Sequence, residues 1–126
     1  MLLIDDDRIL CRILGTTLVQ RGFQVAVAHD GQEGLDAVEE FNPDLIVLDI
    51  MMPRMDGYEF CRRLRSHPTA SDTPILVLTA LGDISLLRES QTDPNIQVDE
   101  FLTKPIRVDT LLNRVNAMLW LNESVS

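Results

Sequence analysis

Leu45-Ile46-Val47-Leu48-Asp49 is the most informative stretch of this chain. Its four consecutive aliphatic residues predict a short strand that is buried on both faces, as in a parallel sheet covered by helices. Asp49 stands at the carboxyl end of that strand, and Pro53 and Gly57 in the following segment stop it. Because ligands of open α/β sheets bind outside the carboxyl ends of the strands, Asp49 is the first candidate site residue.

Short apolar segments alternate with helical patterns on both sides of this strand. Further strands are predicted at 2–4, 23–28, 75–79 and 100–103, and helices at 8–21, 35–41, 56–66, 85–91 and 108–119. Such alternation implies right-handed crossovers, and therefore an α/β fold with a doubly wound, five-stranded parallel sheet and helices on both faces. The length of 126 residues fits one domain, for which we predict bounds of 1–121, with residues 122–126 as a frayed tail.

Composition and charge exclude several classes of function. The net charge of −9 repels nucleic acid and anionic membranes, so we expect neither direct nucleic-acid binding nor membrane association. No apolar run approaches the roughly 20 residues of a membrane span, and the acidic Asp5-Asp6-Asp7 interrupts any signal peptide. Cys11 and Cys61 lack a CxxC spacing and are interpreted as reduced thiols. These features predict a cytoplasmic protein.

Polar residues follow four of the predicted strands. They are Asp5 and Asp6 after the first, Asp49 after the third, Thr79 after the fourth and Lys104 after the fifth. Parallel strands bring these ends to one edge of the sheet, where crowded carboxylates would be relieved by a hard divalent cation such as Mg²⁺. Thr79 and Lys104 supply donors suited to phosphoryl oxygens. The set predicts phosphoryl transfer to an aspartate.

Four motifs carry a resemblance that covers nearly the whole chain. They are Ile4-Asp5-Asp6, the block from Asp49 to Gly57, Leu78-Thr79-Ala80, and Phe101-Leu102-Thr103-Lys104-Pro105. In this order and at these strand ends, the motifs resemble the receiver domain of two-component response regulators, which is chemotaxis-regulator-like and flavodoxin-like. The resemblance implies the strand order 2-1-3-4-5. It also implies a cis peptide bond between Lys104 and Pro105.

The same resemblance implies roles for individual residues. Asp49 would accept phosphate from a phosphohistidine of a sensor histidine kinase or phosphotransfer protein. Asp5, Asp6, Asp49 and the backbone carbonyl of Met51 would hold Mg²⁺, the one cofactor expected. Thr79 and Phe101 would act as a switch, and Thr79 and Lys104 would contact the phosphoryl group.

Signalling would pass through the face formed by the fourth predicted helix, the fifth strand and the last helix. The reader of that face would be a downstream protein or the protein's own output domain, and a phosphorylation-dependent dimer stays open. The unusual Ile96-Gln97-Val98 before the fifth strand, together with surplus residues that we assign to 92–95, predicts that the fourth helix and its following loop are irregular. Beyond self-phosphorylation and self-dephosphorylation we expect no enzymatic activity. Dephosphorylation should be slow, because neither Met51 nor Leu81 can orient an attacking water.

Other interpretations compete with this one. The three leading acids could serve only as a helix start, which is the favoured reading for Asp7. A haloacid-dehalogenase-like phosphatase needs a second aspartate where Met51 stands, and a flavodoxin needs a Ser/Thr/Gly-rich loop after the first strand. A pseudo-receiver scaffold and a regulatory domain trimmed from a larger regulator, with a DNA-binding or enzymatic output, remain open. His29 and His67 are predicted to be exposed loop residues.

Overall fold

The computed structural model describes residues 1–50, 57–80 and 98–125. Strands and helices alternate in the described residues up to residue 80, as the sequence predicts. The strands are β1 (Leu2–Ile4), β2 (Ala26–Ala28), β3 (Ile46–Asp49), β4 (Ile75–Ala80) and β5 (Glu100–Lys104). The helices are α1 (Arg8–Gln20), α2 (Gly31–Phe41), α3 (Gly57–Arg65) and the C-terminal helix α4 (Val108–Val125). The helix predicted at 85–91 lies outside the described residues, and so does most of the loop after it, for which an irregular structure is predicted.

All five strands are parallel, and their order is β2-β1-β3-β4-β5, which confirms the predicted fold. Ile4 pairs with Ala28 on one side and with Leu48 on the other, so the carboxyl ends of the central strands lie level with one another. The edge strand β2 is shorter than predicted, because it pairs only with β1 in the described sheet and β1 has three residues. The preceding Phe23 and Val25 pack against the core instead of extending the ladder.

The sheet separates two apolar clusters, one on each face. Side chains alternate between them: Leu2 and Ile4 belong to the cluster on the α2 and α3 face, whereas Leu3 belongs to the cluster on the α1 and α4 face. All four residues of β3 are buried, as its aliphatic run predicts. Cys11 and Cys61 lie in opposite clusters and are not joined in a disulfide.

Local capping fixes the start of each of the first two helices. The Asp7 carboxylate accepts hydrogen bonds from the amides of Ile9 and Leu10, each at 3.1 Å, so Asp7 is the N-cap of α1. Asp30 accepts from the Glu33 amide at 2.8 Å and caps α2 in the same way. The helix-start interpretation of Asp7 is thereby confirmed. The predicted capping of α3 by Asp56 lies outside the described residues.

The C-terminal helix α4 runs for 18 residues and ends at Val125. It includes residues 122–125, for which the sequence predicts a frayed tail; that stretch holds neither Gly nor Pro to stop a helix. The domain boundary at residue 121 stays a prediction. Among the described helices, none combines the length and apolar character that crossing a bilayer requires.

Candidate functional site

Three carboxylates meet at the carboxyl edge of the sheet. Asp5 and Asp6 follow β1, and Asp49 is the last residue of β3. One oxygen from each side chain lies within 4.8 Å of the other two. Asp5 and Asp49 are buried, whereas Asp6 is exposed to solvent. Two buried anions at such short range need compensating positive charge.

Lys104, the only lysine of the chain, provides part of that charge from the end of β5. Its Nζ lies 3.1 Å from Asp5 Oδ2 and 3.4 Å from Asp49 Oδ2. Burial, the largest single influence, lowers the pKa of Lys104, but the nearby charges and hydrogen bonds of Asp49 and Asp5 together raise it above its usual value. The following peptide bond to Pro105 is cis, as predicted. Lys104 is therefore protonated and forms ion pairs with both carboxylates.

Asp5 is held through both its main chain and its side chain. Its amide donates to the Ala28 carbonyl at 3.1 Å, and its Oδ1 accepts from the Asp7 amide at 2.9 Å. Its carbonyl oxygen lies 3.2 Å from Cys11 Sγ and 3.1 Å from His29 Nδ1. These contacts fix the turn that carries the acidic pair from β1 into α1.

Cys11 and His29 were not among the predicted site residues. The prediction that His29 is exposed is wrong, because its ring is half-buried against Asp5; His67 is also half-buried, 3.5 Å from Glu39. A signal for His29 was present in the sequence, since it directly follows the second strand and therefore lies at the same sheet edge. Burial, and then the charges of Asp5 and Asp7, raise the pKa of the Cys11 thiol to about 12.

Thr79 and Phe101 lie on neighbouring strands near this edge. Thr79 is buried in β4, one residue after the position that pairs with Asp49. Phe101 in β5 pairs with Val77, and its half-buried ring packs against the α2 and α3 cluster. Since Val77 belongs to that cluster and strand side chains alternate, Thr79 and Phe101 project from the same face of the sheet. Met51, the remaining predicted ligand, lies outside the described residues.

The donor set fits a hard divalent cation. Mg²⁺ takes oxygen ligands at 2.0–2.1 Å, so ligands on opposite sides of the ion lie about 4.2 Å apart. One oxygen from each of the three carboxylates lies within 4.8 Å of the other two, a range compatible with a shared ion, and the exposed Asp6 leaves room for the water ligands that Mg²⁺ retains. The sulfur and imidazole groups nearby contact main-chain oxygen and do not join the carboxylates.

Comparisons with known proteins agree with this geometry. The family model of the response regulator receiver domain matches residues 1–116. The chain is 44% identical over 119 residues to response regulator MprA of Mycobacterium avium, which covers 94% of the chain and 50% of that protein. The chain therefore belongs to the receiver-domain family of two-component response regulators. It spans about half the length of the curated relatives that it matches.

Solved structures show the same fold. Chemotaxis protein CheY4 of Vibrio cholerae superimposes with a TM-score of 0.85 at 30% identity, covering 93% of this chain and 95% of that one. The receiver domain of the Francisella response regulator 1452 gives a TM-score of 0.82 at 33% identity, covering 96% of each chain. The resemblance predicted from four short motifs thus extends over the whole domain.

Proposed function

We propose that Asp49 accepts a phosphoryl group in a reaction that requires Mg²⁺. The observation that supports this most directly is the meeting of three carboxylates within 4.8 Å, with Lys104 Nζ 3.4 Å from Asp49 Oδ2. Asp5, Asp6 and Asp49 would hold the ion, with the Met51 carbonyl as a further ligand. The bound ion would offset the negative charge that the incoming phosphoryl group brings to this acidic edge.

In the proposed transfer, an Asp49 carboxylate oxygen attacks the phosphorus of a phosphohistidine. The oxygen–phosphorus bond forms as the phosphorus–nitrogen bond breaks, and the released imidazole takes a proton from solvent. Lys104 lies close enough to Asp49 to donate to a phosphoryl oxygen carried on that carboxylate. The buried Thr79 supplies a hydroxyl donor from the adjacent strand.

The signal would arise from the charge added at Asp49, about −1.5 to −2. Thr79 would move to donate to a phosphoryl oxygen, and the space it leaves would let Phe101 turn inward. The position of Thr79 and Phe101 on one face of neighbouring strands, with Phe101 half-buried, supports this coupling. Phosphorylation would then shift the population between two existing packings, and a partner would bind the altered face.

The family suggests the partners. A sensor histidine kinase or phosphotransfer protein in the cytoplasm would donate the phosphoryl group. A downstream protein, the protein's own output domain or a second phosphorylated copy would receive the signal. The net charge of −9 supports an output that does not rely on this domain itself contacting nucleic acid.

The test is incubation with Mg²⁺ and acetyl phosphate, followed by mass spectrometry of the intact protein. Wild type should gain one phosphoryl mass, and Asp49→Asn should gain none. Asp44→Asn is the matched control, because Asp44 is an exposed aspartate just before β3. No gain in wild type, or an equal gain in Asp49→Asn, refutes the assignment and favours a pseudo-receiver scaffold. A phosphoryl half-life of only seconds would contradict the predicted slow self-dephosphorylation.

A second candidate is that this receiver regulates a larger protein. The observation that favours it is the coverage of half the length of the MprA relatives. Sequencing the complete reading frame tests it, since the frame either continues into an output domain, DNA-binding or enzymatic, or ends with the receiver.

A further inference from the structure

The peptide unit that joins Asp5 to Asp6 is held by two side chains from outside the carboxylate cluster. Its carbonyl oxygen, which belongs to Asp5, lies 3.2 Å from Cys11 Sγ in α1 and 3.1 Å from His29 Nδ1 beyond β2. Because a peptide is planar, fixing this oxygen also fixes the direction in which the chain leaves toward Asp6. The contacts of Cys11 and His29 with this oxygen therefore help to set the positions of Asp5 and Asp6.

His29 reaches this oxygen because of the strand register. Ile4 pairs with Ala28, and the Asp5 amide donates to the Ala28 carbonyl at 3.1 Å, so His29 follows directly beside Asp5. A carbonyl oxygen only accepts hydrogen bonds, so the contact requires a proton on Nδ1. Neutral and protonated rings can both carry that proton, and the contact needs no particular charge on the ring.

Asp6 depends on this support more than the other two acids do. Asp5 and Asp49 are buried and contact Lys104, whereas Asp6 is exposed. Within the described ranges, no hydrogen bond or ion pair of the Asp6 carboxylate is found. The direction of its main chain is therefore the described feature that brings its carboxylate within 4.8 Å of the other two.

We propose that His29 is a positioning residue of the metal site: its Nδ1–H fixes the Asp5–Asp6 peptide and so holds Asp6 in reach of a shared divalent cation. This inference rests on the proposed function, because it assumes that the three carboxylates bind Mg²⁺. Loss of a hydrogen bond that orients ligands costs 10–100-fold in metal affinity in other sites, and we expect about tenfold here.

The matched variants are His29→Leu and His29→Asn. Leucine approximates the size of the ring without a donor, whereas the Asn amide nitrogen lies one bond from Cγ, as Nδ1 does. Mn²⁺ binding, followed by electron paramagnetic resonance and by competition with Mg²⁺, should weaken about tenfold in His29→Leu and return to within about twofold of wild type in His29→Asn. At saturating Mg²⁺, acetyl phosphate should label all three proteins at the same rate. Equal affinity of wild type and His29→Leu, or no rescue by His29→Asn, overturns the inference.

A measurement on metal-free wild type supplies a second readout that needs no variant to fold. Long-range ¹H–¹⁵N spectra of the histidine rings should show His29 with a protonated Nδ1, and a neutral ring protonated only at Nε2 overturns the inference. The experiments distinguish failure of the proposed function from failure of the inference about His29. If wild type binds no Mn²⁺ through Asp49, the proposed function and this inference fail together; if wild type binds and the His29 variants match it, only the inference fails.

Discussion

Replacing Lys104 with methionine tests whether its ammonium group and a divalent cation neutralise the same carboxylates. The change keeps an unbranched side chain that is one atom shorter and removes its charge. At distances of 3.1 and 3.4 Å, each ion pair has a gross attraction of about 5 kcal/mol at an effective dielectric constant of 20. Desolvation offsets most of that attraction, and 27% of the Lys104 side chain remains exposed.

We therefore expect Lys104→Met to lose about 3 kcal/mol of unfolding free energy in EDTA, the lower end for removing one partner of a buried pair. In saturating Mg²⁺ the loss of unfolding free energy should shrink to about 1 kcal/mol. Binding of the ion to the folded state adds stability by mass action, and it should add more in the variant, where Asp5 and Asp49 are no longer neutralised by Lys104. Urea unfolding followed by circular dichroism measures both values. Arg107→Met is the control, since Arg107 is 79% exposed and its ion pair with Asp109 lies at the surface.

The pH dependence of the same deficit follows from the raised pKa of Lys104. A cation whose pKa is raised on folding contributes its full stabilisation below the unfolded value, near 10.5, and loses it as the pH rises through the folded value. In EDTA the gap between wild type and Lys104→Met should be constant from pH 7 to about pH 9.5 and narrow above about pH 10.5. A gap that is absent in EDTA, or that Mg²⁺ leaves unchanged, would refute the shared-cluster reasoning.

Three further predictions concern packing and reactivity. Gly57→Ala should lower the free energy of unfolding in urea by about 1–3 kcal/mol, because the added Cβ would lie 2.7 Å from the Ile50 Cα. Gly15→Ala, whose added Cβ would have its nearest contact at 3.8 Å, should raise that free energy by about 0.5–1 kcal/mol. Arg65→Met should cost about 2 kcal/mol, because Arg65 donates to two main-chain carbonyls at 2.8 and 2.9 Å; a loss below about 0.5 kcal/mol would contradict this. In a Cys61→Ser background, iodoacetamide at pH 8 should alkylate Cys11 about a thousandfold more slowly than in 6 M urea, because its pKa is raised to about 12 and it is buried.

The acidic edge of the sheet was predictable because strand ends can be located from short apolar runs. The aliphatic stretch before Asp49 and the similar run before Thr79 mark buried strands, and parallel order brings their ends together. The sequence distinguished the role of Asp7 from that of Asp5 and Asp6, because an aspartate at the start of a helix can accept hydrogen bonds from its first amides. In the structure Asp7 accepts two such hydrogen bonds.

Other features depend on tertiary geometry that periodicity does not encode. The second strand pairs over Ala26–Ala28 instead of 23–28, because its length is set by the partner strand β1. The position of His29 directly after the second strand predicts that it lies at the carboxyl edge of the sheet, but its contact with the Asp5 carbonyl depends on the register between β1 and β2, which the sequence does not show. Arg65 connects the end of α3 to the loop before β4 and lies 3.6 Å from Asp99, a contact across 34 residues that no local pattern reveals.

The presence of one lysine in the whole chain has a practical consequence at the bench. Amine-reactive dyes, crosslinkers and coupled biosensor surfaces can attach only at that side chain or at the amino terminus, which donates to the Gln24 carbonyl at 2.9 Å. Conjugation at the lysine would remove the charge that contacts Asp5 and Asp49, and under the proposed function it would slow phosphorylation of Asp49. Labels are better introduced through a cysteine engineered on the exposed surface, in a protein whose native thiols are already shielded.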